Sequence, residues 1–298
     1  MSTFPPPLLQ LGELRIDRIE EFCAPVLPAH DFLTDLPADA IDRQRTWLTP
    51  RFFDDDTGLL VMSDHTWVVR TPHATILIDT CWGNDKPRPG FGGNLDTPWL
   101  GLLADLGVTP EDVDVVVCTH LHSDHVGWNT RLVDGQWVPT FPRARYVLPR
   151  AEFEYWQGAE RSDFGHDAAF VDSVLPCVEA GLVDLVEPGY TIDGCLTLEA
   201  APGHTAGQMV VRAVSRGERA VFAADVLHVP LQLAYPDSNS IACDDPEVAR
   251  QTRRSLLEGC AENGDLLISN HFPAPYFGFI ERAGDAFSLT DPAPEPVR

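Results

Sequence analysis

Three histidines and an aspartate fall within six residues in His120-Leu121-His122-Ser123-Asp124-His125. Imidazole nitrogen beside carboxylate oxygen is the donor set of zinc or a similar borderline ion. The preceding stretch, 113–119, is β-branched and apolar. It reads as a buried strand, which puts the hexapeptide at a strand's carboxyl end. In an extended chain residues two apart point the same way, so His120 and His122 can grip one ion while Leu121 turns into the core. Asp124 falls where a helix would begin, and with His125 it can offer an oxygen and a further nitrogen to a neighbouring ion. The spacing suits two metals better than one. A surface loop that merely collects polar side chains is the plain alternative, but ten histidines spread over 298 residues make three within six positions a poor match to it.

HLHSDH, with a hydrophobic strand before it and Val126-Gly127 after it, resembles the HxHxDH signature of the metallo-β-lactamase superfamily. That resemblance implies an α/β protein, an αββα sandwich of two mixed sheets flanked by helices, with a two-metal site at one rim. Three later segments match the family's remaining ligands in its order. Pro202-Gly203-His204-Thr205 follows an alternating strand and resembles the segment whose histidine completes the tripod on the first metal. Asp225 ends the strand 219–224, where a carboxylate could bridge two ions; the family usually has glycine before it and this chain has Ala224. His271 ends the apolar strand 265–270 and resembles the last ligand of the second metal. The implied ligands are His120, His122, Asp124, His125, His204, Asp225 and His271. Asp79, at another strand end, resembles the family's buried aspartate that orients a ligand through a hydrogen bond, and by local sequence alone an acidic turn residue is the alternative.

His125 and Asp225 point away from β-lactam hydrolysis and toward the lactonase, phosphotriesterase and thioesterase branches. His228 stands three residues after Asp225, where acyl-homoserine lactonases carry tyrosine. With Gln232 after it, this histidine looks more like the methyl parathion hydrolase branch. The resemblance implies two divalent ions as cofactors, Zn2+ foremost, with manganese, iron or cobalt sharing the same ligand chemistry. Such ions, about 3.5–4 Å apart, would hold a bridging water and lower its pKa until hydroxide is the nucleophile. Asp225 would bridge, Asp124 could assist proton transfer, and the His228 imidazole could donate to a carbonyl or leaving oxygen. The expected function is hydrolysis of small, largely apolar esters or lactones. Phosphotriester hydrolysis, glyoxalase II-like thioester hydrolysis and a metal-binding protein without turnover are the alternatives.

A net charge of −24 repels phosphate backbones and anionic membrane surfaces, so a small molecule is the expected partner, with neither nucleic acid nor membrane. A homodimer is a further expectation. Seven scattered cysteines without a CxxC pair read as reduced, mostly buried thiols. The start shows no secretory signal pattern, and the expected compartment is cytoplasmic. Residues 1–58, broken by prolines yet rich in leucine and phenylalanine, read as an arm packing on a catalytic body of residues 59–298. Within that body, 59–62, 66–70 and 74–79 read as an antiparallel meander, 98–106 and 150–156 as helices, and 170–180 as a helix broken by Pro176. His166 reads as a loop residue, with pocket lining as the alternative. Trp82, Trp128, Phe164, Phe272 and Tyr276 are candidate pocket walls.

Overall fold

Side chains alternate between the two faces of a strand, and here both faces are apolar, so each sheet must be covered twice. The computed structural model describes residues 8–158 and 165–290. Its strands are β1 (Leu9–Leu11), β2 (Leu14–Leu27), β3 (Phe53–Asp54), β4 (Leu59–Arg70), β5 (Thr75–Ile78), β6 (Val115–Val117), β7 (Thr130–Val133), β8 (Gln136–Pro139), β9 (Arg145–Pro149), β10 (Val183–Val186), β11 (Thr191–Ile192), β12 (Leu196–Ala200), β13 (Met209–Ser215), β14 (Glu218–Phe222), β15 (Leu266–Ile268), β16 (Phe277–Ala283) and β17 (Ala286–Thr290).

The first sheet runs β1-β2-β4-β5-β6-β9-β10 with β3 on β4, and the second runs β11 to β17 in order. Both are mixed. The first turns parallel from β5 onward, and the second is antiparallel except where β14 meets β15. Trp67, Ile76, Ile78 and Val117 face Leu198, Val211, Phe222 and Ile268 between the sheets. The intervening Val68, Leu77 and Val116 pack outward on Trp99, Leu103, Phe153 and Phe170. On the far side, Val221 and Leu267 pack on Leu257 and Cys260 of the helix Pro246–Asn263. That helix starts where Asp245 accepts from the Glu247 and Val248 amides and stops at Gly264, which takes the left-handed conformation. The expected αββα sandwich is therefore the observed one, each buried apolar side chain contributing about 1.5–3 kcal/mol of transfer free energy.

Three elements differ from their sequence reading. Within the expected proline-rich arm, residues 9–27 form β1 and β2 of the first sheet. Pro25 is tolerated because β2 ends on the sheet's edge with a register shift there. Residues 28–58 pack Phe32, Leu48, Phe52 and Phe53 onto Val229 and Leu231. The polar run Ser63-Asp64-His65, read as a break between two strands, is the buried centre of one strand, β4. The segment 170–180 is helical but wound as a π-turn over Phe170–Val174 ahead of Leu175–Glu179.

Candidate metal centre

β6 delivers the hexapeptide as its extended end requires: Leu121 is buried in the outer core, and His122 is the extended residue capping the short helix Ser123–Val126. His204 comes from the turn after β12. There Gly203 has φ +126°, and an added Cβ would strike the Ala249 backbone, so glycine is required twice over. Asp225 follows β14, and Ala224 before it has φ +46°. That left-handed backbone is the physical reason a glycine would suit the position, and alanine adopts it at a cost of about 1–2 kcal/mol. His271 follows β15, with the Ser269 hydroxyl accepting from the His271 and Phe272 amides at 3.2 Å each.

All seven residues named from the sequence converge. His120, His122, His204 and Asp225 form one group with ligand atoms within 4.8 Å of one another, and Asp124, His125, Asp225 and His271 form a second. Asp225 belongs to both. Its Oδ2 lies 3.2 Å from His204 Nε2 and 3.8 Å from His120 Nε2. Its Oδ1 lies 3.2 Å from His125 Nε2 and 3.0 Å from His271 Nε2. His122 Nδ1 and His204 Nε2 stand 2.9 Å apart, so at most one carries a proton between them.

The side chains behind these groups set which nitrogen is bare. Asp79 Oδ2 accepts from His125 Nδ1 at 2.8 Å and from Asn270 Nδ2 at 2.6 Å, while its Oδ1 accepts from the Thr119 amide at 2.7 Å. Asp64 Oδ1 accepts from His271 Nδ1 at 2.6 Å. Both rings therefore turn Nε2 inward, the nitrogen that gives up its proton when a cation binds. Burial, reinforced by neighbouring imidazoles, holds His120, His122 and His204 well below the usual histidine range, so they are neutral donors. Burial also opposes charge on His125 and His271, but Asp225 with Asp124 and Asp79, or with Asp64, outweighs it and pushes both up. Asp124, pushed up by burial to about 6, keeps one edge toward solvent.

A divalent cation fits these residues. The Nε2 atoms of His120 and His125 are buried with no hydrogen-bond partner, and the other imidazole and carboxylate groups of the two ligand sets crowd within reach of them. Cations between them would satisfy every one, and the mixed nitrogen and oxygen set is that of a borderline ion.

Above this floor opens a cavity of about 370 Å³, walled by Phe22, Val26, Leu27, Phe32, Met62 and Ile241, with Trp82, Pro89 and Gly90 at one side. His228 lines it. Its Nε2 is 3.2 Å from Asp225 Oδ2 and its backbone amide donates to Gln232 Oε1 at 2.8 Å. His166 lines it as well. It is the first residue of the helix His166–Ala169, it stacks on His122 at 3.9 Å, and its Nδ1 accepts from the Ser123 amide at 3.1 Å. Burial lowers it to about 4. Of the aromatic candidates Trp82 is in the wall, whereas Trp128 stacks on Trp99 in the core, Phe272 is fully buried, and Tyr276 packs against Arg18. Phe164 lies outside the described residues. Sequence reasoning missed Asp64 and Glu21; the clue to Asp64 was a polar run with strand-like flanks.

A model of the metallo-beta-lactamase superfamily matches residues 61–269, and the chain belongs to that superfamily. Its curated relatives include the N-acyl homoserine lactonase AttM of Azorhizobium caulinodans, 32% identical over 135 residues that cover 41% of this chain and 47% of that one. The chain thus spans about half the length of that relative. Two solved structures share the fold along nearly the whole chain. The hydrolase AbOPH matches with a TM-score of 0.80 at 24% identity, covering 97% of both chains. AidC, a dizinc quorum-quenching lactonase in complex with a product N-hexnoyl-L-homoserine, matches with a TM-score of 0.77 at 20% identity and the same coverage. The seven cysteines are unpaired, and no helix among the described residues is long and apolar enough to cross a membrane.

Proposed function

We propose that this chain is a dinuclear metal-dependent hydrolase of small, largely apolar esters or lactones. The observation that carries the reading is Asp225, with one carboxylate oxygen toward each ligand group at the floor of an apolar-walled cavity. The lactonase name of a relative and the lactone-derived product in a neighbour's title support the substrate class.

His120, His122, His204 and Asp225 would hold one ion, and Asp124, His125, Asp225 and His271 the other. Zinc is the ion we assign. Bound there, the pair supplies an activated water and positive charge opposite the carbonyl oxygen. The chain supplies the rest. Phe22, Phe32 and Ile241 shield the reacting carbonyl from bulk water and receive the apolar arm of the substrate. The Asp124 carboxylate takes up the proton released as the new bond forms, through the oxygen that the ion leaves free, and the His228 imidazole donates to the departing oxygen. On this reading residues 59–298 form the catalytic body, Phe22, Val26, Leu27 and Phe32 of the preceding segment close its pocket, and unpaired thiols suit a cytoplasmic location.

The test is elemental analysis of the purified protein together with rates on a lactone, an aryl ester, a thioester and a phosphotriester. About two metals per chain with the highest kcat/KM on the lactone or ester is expected. Turnover confined to the thioester or phosphotriester would move the assignment to that branch, and no bound metal with no turnover after metal addition would refute it.

A further inference from the structure

We propose that Asp64 is a positioning residue that sets His271 for metal binding, and that Trp82 braces Asp64 from the pocket wall. The proposal rests on the two-metal reading above and concerns a residue that holds no metal itself.

His271 sits on a loop just beyond a strand of three residues, and β4 restrains it twice. The Ser63 amide donates to the His271 carbonyl at 3.0 Å, and His271 Nδ1 donates to Asp64 Oδ1 at 2.6 Å. The second bond fixes both the ring plane and the tautomer. With the proton on Nδ1, the bare Nε2 stands 3.0 Å from Asp225 Oδ1 and 3.9 Å from Asp124 Oδ2, facing the second ligand group.

Asp64 is itself held. Its Oδ2 accepts from Trp82 Nε1, and the indole has little freedom to withdraw. The Trp82 amide donates to the buried Glu21 Oε2 at 2.7 Å, while Gly92 lies so close against the ring, and Gly127 against the Trp82 carbonyl, that a Cβ at either would collide. A connected path of hydrogen bonds thus runs from Glu21 through Trp82 and Asp64 to His271.

An isosteric amide cannot replace this carboxylate. Asparagine at position 64 has one acceptor where two N–H groups converge, so its NH2 must face either Trp82 or His271. In the second arrangement His271 moves its proton to Nε2, and the nitrogen aimed at the metal is no longer a ligand.

The experiment titrates chelator-stripped protein with Co2+, following the visible absorption of each equivalent, with circular dichroism as the check on folding. Two equivalents are expected for the parent chain. Asp64→Asn should retain the first and weaken the second by about 10–100-fold, and Trp82→Phe should weaken the same equivalent by less. An unchanged second equivalent in a folded Asp64→Asn overturns the proposal. If that variant does not fold, Trp82→Phe decides by the same shift or its absence. Fewer than two equivalents in the parent chain overturns the two-metal reading, and the role of Asp64 with it.

Discussion

Asp79→Asn tests the support beneath the centre more sharply than removal of any ligand. Asp79 has φ +55°, a conformation that asparagine tolerates as well as aspartate, so the substitution leaves the backbone term nearly unchanged and alters only hydrogen bonding. The carboxylate is 1% exposed and receives four donors: the Thr119 amide on Oδ1, and the Thr119 hydroxyl, His125 Nδ1 and Asn270 Nδ2 on Oδ2. An amide turned to keep Oδ2 as oxygen sets its NH2 against the buried Thr119 N–H. Turned the other way, it opposes His125 and Asn270 together. At the least one buried donor is orphaned, costing about 1–3 kcal/mol, and the charge-assisted bond to His125 weakens by about 1 kcal/mol more. The expected loss is about 2–4 kcal/mol in urea unfolding of the metal-free protein. Loosening His125 should also weaken metal by about 10–100-fold, which lowers the metal-dependent gain in stability by about 1.4–2.7 kcal/mol. Unfolding curves with and without Zn2+ separate the two losses. A metal-free loss below about 0.5 kcal/mol with an unchanged Zn2+ increment would refute the reasoning and return Asp79 to an ordinary turn residue.

Asp225→Ala removes an oxygen from each ligand group and should abolish hydrolysis and lower metal content at both, while the far-ultraviolet circular dichroism of the metal-free protein stays unchanged. His228→Phe should reduce kcat by about 10²-fold with metal content intact, and an unchanged kcat would leave the imidazole as packing against Phe32. Glu21, raised by burial to about 7, bears on pH. Between its ordinary value and about 7 the native state holds a proton that the unfolded chain releases. Stability from this group is therefore full below pH 4.5 and declines as pH rises, by at most about 1.4 kcal/mol per unit. Glu21→Gln should flatten that decline in urea midpoints measured from pH 5 to 8; parallel curves for the two proteins would count against it.

Local order was enough to read the hexapeptide as a metal grip, because it lies at the end of an apolar strand whose alternation dictates where its last side chains point, and the resemblance that it carries supplied His204, Asp225 and His271 at later strand ends. His120 and His122 could be placed on one ion, with Leu121 turned into the core, before any fold was known. The αββα layering came from the resemblance that the motif carries, and strands apolar on both faces, which need two covers, agree with it. What failed to show was anything set by contact between distant segments. For His166 the sequence left a loop residue and a pocket-lining one open, and its stacking on His122 follows only because the helix it begins packs beside the hexapeptide. Trp128 and Phe272 were as close to the motifs in sequence as Trp82, yet only Trp82 faces the cavity.

The amino-acid order by itself determined the ligand types and their strand-end positions, because these depend on neighbours within a few residues, and the layers that carry them were legible only through the motif's resemblance to a known family. Only the tertiary structure decided that both oxygens of Asp225 are used, that Asp64 on β4 holds His271 from 207 residues away, and that residues from β2 wall the pocket. Those are distances between chain segments, and no local preference encodes them. They are settled when two sheets close on a shared core and bring β4 against the loop after β15.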